Sequence, residues 1–175
     1  MGFLPSNFQN LMLTRLIAQT QRQLTSNISD TRLAKKQSSQ VEKAITQELR
    51  YNQNFARANY QQTIANGQQS IFAKLGITTL SGADASVSAM YSQELSALQT
   101  QAQSELNASL MMAEQNAEIM REMQVQPLTD LASDLEVEKE KLEGDIKMYQ
   151  SWKEGAKEDV QSSAKNLKPN YGSGG

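Results

Sequence analysis

Apolar residues return every three or four positions along most of this chain, and that spacing admits few folds other than long helices. The clearest stretch is Val87, Tyr91, Leu95, Leu98, Ala102, Leu106, Ser109, Ala113, Ala117, Met120, with steps of 4, 4, 3, 4, 4, 3, 4, 4, 3. This is an eleven-residue repeat, which lays a nearly straight or slightly right-handed stripe along a helix. Four of its positions are Ala or Ser, so a neighbouring helix can approach closely.

The same reading predicts helix 1 over residues 7–75, after a short extension over 1–6. Pro5 and Ser6-Asn7 suit its start and N-cap. Its apolar positions are Leu13, Ile17, Leu24 and Ile28, then Val41, Ile45, Leu49, Ala56, Tyr60, Ile64, Ile71 and Leu75. Residues 26–31, Ser-Asn-Ile-Ser-Asp-Thr, are capping types, and the helix can break or restart there. Gly76 stands where a C′ glycine belongs. It opens a connector over 76–86, with Ile77 and Leu80 expected to tuck against the helix ends.

Helix 2 is expected over 87–124, ended by Pro127, which lacks an amide donor and restricts the residue before it. Thr129-Asp130 can cap a helix 3 over 128–167. Its apolar positions are Leu128, Leu131, Leu135, Leu142, Ile146, Tyr149, Ala156, Val160 and Leu167, close to alternating steps of 3 and 4. That spacing is coiled-coil-like, with Glu and Lys outside and Lys139–Glu143 as an i,i+4 pair. Residues 168–175 read as a disordered tail. The fold class is therefore all-α: an elongated antiparallel hairpin or coiled-coil-like bundle of three long helices, with a kink or a turn at Pro127 both open.

The chain has neither cysteine nor histidine. Disulfides, thiolate nucleophiles, Cys-based zinc sites and histidine acid–base chemistry are thereby excluded. Glu114, Glu118 and Glu122 place one carboxylate per turn on a helix face. Helical dimetal sites also use Glu-x-x-His, so a solvated acidic face is the better reading. No catalytic residue, cofactor or metal site is expected. The chain reads as non-enzymatic.

Residues 1–80 carry nine Lys/Arg and three Asp/Glu, whereas 81–129 carry one and six. A basic first helix facing an acidic second one accounts for this, and the sparse basic stripe argues against nucleic-acid binding. No run approaches the ~20 apolar residues of a membrane span. Gly2 with Ser6 matches the loose myristoylation pattern, but so short a pattern matches by chance and no lipid anchor is inferred. The opening residues lack the basic and apolar regions of a cleavable signal peptide.

What remains is helix-to-helix contact. The interaction seam is assigned to Leu24, Asn27, Val41, Ile45, Asn52, Leu95, Leu98, Leu106, Met120, Leu135, Leu142, Ile146 and Tyr149. Asn27 and Asn52 are the polar members that would fix register. Phe55 and Tyr60 are read as packed. Met111, Met112, Met120, Met123 and Met148 are read mainly as fillers of an alanine-lined seam, and alternatively as an adaptable binding face.

The organisation resembles two groups of assembly proteins. One is the axial and filament proteins exported by flagellar or type III machinery, with residues 7–75 and 128–167 as the paired helices. The polar tail at 170–175 departs from their apolar ends. The other is the internal virion or ejection proteins of tailed phages, similar in length and in Gln/Ala-rich helices. Both imply a virion or secreted location without a cleavable signal, the cytoplasm being compatible too. The partners expected are further copies of the chain, as in a filament or virion subunit. The alternative is a soluble adaptor or chaperone holding a client helix.

Overall fold

The computed structural model describes residues 3–81 and 83–166. The Gly2 acylation pattern, Leu167 and the 168–175 tail lie outside the described residues. Helix α1 runs Phe3–Leu75 and α2 runs Ala85–Met120. A π-helical segment, Arg121–Val125, follows, then α3, Gln126–Asn166. There is no strand among the described residues.

The expectation of three long helices is corrected to two helical runs, because α2, the π segment and α3 follow one another without a gap. Pro127 does not end helix 2. In an α-helix its ring would press on the carbonyl of residue 123, and it has no amide to donate. The turn just before it is wider: the Gln126 N–H reaches Arg121 O, five residues back. The Arg121 N–H is shared between the carbonyls of Ala117 and Glu118. A π turn of this kind accommodates the proline while the helix continues.

Nor does α1 break at residues 26–31. There the capping side chains turn back onto the helix: Thr31 Oγ1 donates to Asn27 O at 2.8 Å, and Ser26 Oγ to Asp30 Oδ2 at 3.4 Å. Such bonds add to the backbone ladder rather than replace it. The helix also starts earlier than the Ser6-Asn7 cap implied. Its other end matches expectation. Gly76 has φ +66, its N–H donates to Ala73 O, and Ile77 N–H donates to Phe72 O. This is a Schellman closure, with the αL position that glycine adopts without a Cβ penalty. Ile77 is half-buried, but Leu80 is 40% exposed.

The described residues pack as two units, one within 38–127 and one formed by the described parts of 1–37 and 128–175. In the first, the latter part of α1 returns through the connector as α2. All ten residues of the eleven-residue repeat, Val87 to Met120, are buried or half-buried. Tyr91 stacks on Phe72 at 5.0 Å between ring centres, and Gly67 lies against the Leu98 side chain. In the second unit the early part of α1 runs antiparallel to α3, and the period changes. Leu128, Ala132, Leu135, Lys139, Leu142, Ile146 and Tyr149 are less exposed in steps of 4 and 3, with Glu143 and Asp145 half-buried beside them. Facing them are Thr20, Leu24, Asn27, Thr31 and Ala34. Leu131, expected inside, is 49% exposed, and Ala132 takes its place at 5%. The inward step from Leu128 is four residues, and a small side chain permits the closer approach.

Two glycine substitutions separate these effects. Gly76→Ala should destabilise by about 1–2 kcal/mol, because an alanine resists αL. Gly144→Ala, where an added Cβ meets nothing within 4 Å, should stabilise by about 0.5–1 kcal/mol through helix propensity. Thermal unfolding followed by far-UV circular dichroism reads both.

Candidate interaction surface

The thirteen seam residues all sit on inward-turned helix faces. In the 38–127 unit, Ile45 is buried, and Val41, Asn52, Leu95, Leu98, Leu106 and Met120 are half-buried. In the other, Asn27 and Ile146 are buried, and Leu24, Leu135, Leu142 and Tyr149 are half-buried. Each unit thus uses these residues to join its own two helices. No large side chain is fully buried among the described residues, so the seam is one residue deep.

Asn27 is the polar centre of its unit. Its Nδ2 donates to Glu138 Oε2 at 3.1 Å, while Oδ1 is buried without a partner. Thr20 and Thr31 extend this polar stretch, their hydroxyls held by Leu16 O and Asn27 O. A scan for apolar spacing misses both threonines. Asn52 is half-buried at the edge of a cleft.

The charge asymmetry resolves into cross-helix pairs. Lys35 pairs with Glu136, and Lys74 with Glu94. Arg121 reverses the polarity, with Nε 3.0 Å from Glu42 across the pair and Nη1 3.4 Å from Glu118 one turn back on its own helix. The hydrogen bond from Arg121 to Glu42, helped by the carboxylate's charge, raises the Arg121 pKa. The hydrogen bond and charge of Lys35 hold the Glu136 carboxyl below the usual carboxylate range. The expected Lys139–Glu143 pair spans 3.7 Å. All are exposed or partly exposed pairs, which set register more than stability. Glu114, Glu118 and Glu122 are not gathered into a site: Glu114, Glu118 and Glu122 are exposed, and among the described residues no acidic group is arranged to hold a metal ion. No helix is long and apolar enough to cross a membrane among the described residues.

A second apolar stripe lies outside the seam. Phe55, read as packed, is 56% exposed, and the methionines read mainly as fillers include Met112 at 56% and Met123 at 72%. Of these methionines, Met120 is the one turned inward. The pattern is regular. Tyr51, Phe55, Met90, Met112 and Ile119 each precede an inward residue by one position: Asn52, Ala56, Tyr91, Ala113 and Met120. Met12, Leu16, Leu33, Leu131, Met148 and Trp152 do the same in the other unit. One residue is a rotation of about 100°. On two antiparallel helices the same sense of rotation brings both outer stripes to one face of the pair.

Clefts lie between the helices along these faces. In the 38–127 unit one of about 320 Å³ includes Asn52, Ala113, Ile119 and Met123. Another of about 280 Å³ includes Ala56, Asn59, Ala102, Glu105 and Ser109. In the other unit a cleft of about 600 Å³ lies between Phe8, Met12 and Trp152, beside Gly155. Trp152 is 55% exposed and tilts against Tyr149 at 5.9 Å. The charged lining residues are Glu48, Glu105 and Asp159, with no Lys or Arg.

No protein-family model matches the chain, and no match was found among curated proteins or solved structures.

Two outcomes follow from the polar groups. Asn27→Leu should raise stability by about 1–3 kcal/mol, since it removes a buried orphan acceptor while exposed Glu138 turns to water. Chemical denaturation measures it. The Glu136 carboxyl should titrate below an unfolded glutamate and return toward it in Lys35→Ala, as read by carboxyl NMR. The sign follows from a lowered folded value: the pair's small contribution is present at neutral pH and is lost as pH falls through that value.

Proposed function

We propose that this chain is a non-enzymatic assembly subunit that works by helix-to-helix contact. The inner stripe closes each unit, in the heptad-spaced one as a coiled-coil-like pair. The outer stripe joins the chain to further helices, first of all to other copies of itself. A subunit of a filament or a virion interior needs these properties.

One observation carries this reading: most of the exposed large apolar side chains fall on a regular stripe beside the inner one. Scattered apolar residues are ordinary on any surface, whereas an aligned face marks an interaction site. Aromatic and methionine side chains dominate it, the types enriched at interface centres. Its clefts combine small residues such as Ala56, Ala102 and Ala113 with large apolar ones, a lining that can receive a helix.

The cleft beside Trp152 favours a second reading, an adaptor that holds the apolar face of a client helix. An exposed tryptophan beside Phe8 and Met12 is the kind of anchor on which such binding concentrates.

Size-exclusion chromatography with light scattering, over a hundredfold range of concentration, tests the first reading. The mass should rise above the 19.4 kDa of one chain and hold in high salt, because apolar contacts are not screened. A salt-insensitive mass of one chain at every concentration would overturn self-assembly.

A further inference from the structure

We infer that the outer face of the 38–127 unit is a two-fold interface with a second copy of the chain, in which the α1 segment of each copy lies on α2 of the other. The inference rests on the self-assembly reading and specifies its contact.

The register within the unit supports it. Gly67 lies against Leu98, and Glu42 pairs with Arg121. By that register Tyr51 and Phe55 on α1 stand level with Met112 on α2, and Asn59 stands level with Glu105. The aromatic pair, stacked with ring centres 6.4 Å apart, forms one wall, and Met112 forms the other. Between them the floor is short: Asn52, Ala56, Ser109 and Ala113.

A two-fold axis parallel to the helices and centred over this groove exchanges α1 for α2 without changing height. Tyr51 and Phe55 of one copy then meet Met112 of the partner, and the contact occurs twice. Methionine sulfur against an aromatic ring is a favourable contact, and methionine adapts to an uneven wall. Asn59 comes opposite the partner's Glu105, an amide donor facing a carboxylate. Glu48 comes opposite the partner's Asn116, so no carboxylate faces another. The alternative axis, perpendicular to the helices, would lay the aromatic wall on a copy of itself and leave Met112 opposite Met112.

The exposed area supports the contact. Tyr51, Phe55, Met112, Ile119 and Met123 are each more than half exposed. Together they present on the order of 500 Å² of apolar side chain per copy. The polar rims of the groove, Asn59, Glu105 and Asn116 among them, add to this toward the roughly 800 Å² per partner of a stable interface.

Because the natural chain has no cysteine, single cysteines report the contact cleanly. Asn59→Cys and Glu105→Cys are prepared separately, and their oxidation is followed alone and mixed. Both sites are exposed, so folding is not at stake, and circular dichroism checks it. The mixture should form the disulfide between position 59 of one copy and position 105 of the other at least tenfold faster than either variant forms its own dimer. The double variant Phe55→Ser/Met112→Ser should weaken dimerisation at least tenfold while keeping the helical spectrum. Association in which the mixed pair gains no advantage would overturn this interface and leave self-assembly standing. An unmodified chain that stays a single-chain species at millimolar concentration would overturn both.

Discussion

The depth of the helix seam governs the rest of this structure. Two helices side by side bury only the residues that recur every three or four positions, and no large side chain among the described residues is completely removed from water. Alanine and glycine set the spacing: Ala34, Ala56, Ala102, Ala113, Ala117 and Ala132 are among the most buried residues. Close approach then brings the flanking charges within reach, so Lys35, Lys74 and Arg121 each find a carboxylate on the facing helix. The period of the seam differs between units, eleven-residue in one and heptad in the other. The Arg121–Val125 π turn lies just ahead of Pro127, at the end of the eleven-residue stretch.

A seam this narrow leaves large apolar side chains with nowhere to go. Most of them follow the inner stripe one residue earlier, from Met12 to Trp152, and so gather on one face of each helix pair, while Leu11, Met111 and Val137 lie elsewhere. Among the described residues neither unit supplies a further layer to cover them. The functional reading grows from that mismatch: what folding leaves exposed, assembly would cover. Asn27 belongs to the inner layer instead. Its orphan oxygen is tolerated at a cost in stability, and a polar side chain at one seam position penalises every register but its own.

Much of this was legible in the sequence. The steps from Val87 to Met120 gave the inward face of α2 residue by residue, and Gly76 marked the end of α1. Pro127 and the capping residues at 26–31 are local signals against helix; the first implied an end to helix 2 and the second left a break open, and a pattern of residue types does not encode what overrode them. A π turn absorbed the proline, and side chains bonding to their own helix neutralised the caps. Thr20 and Thr31 were invisible to an apolar scan because their hydroxyls are satisfied by backbone carbonyls one turn back. The outer stripe is present in the sequence as Tyr51–Phe55 and Met112–Ile119, but residue type alone does not separate a packed Phe55 or a gap-filling Met112 from an exposed binding face. Comparing each with the position after it would have exposed the second stripe.

Methionine oxidation tests the central claim most directly, because sulfur atoms sit on the inner stripe, the outer stripe and the far side of one helix. Brief peroxide treatment with peptide mass spectrometry, at low and high protein concentration, reads each of them. At low concentration Met112 and Met123 should oxidise as readily as Met111, and Met120 should lag behind all three. At high concentration Met112 and Met123 should become protected while Met111, turned about 100° from Met112, stays reactive. Equal reactivity of the three at every concentration would contradict the account.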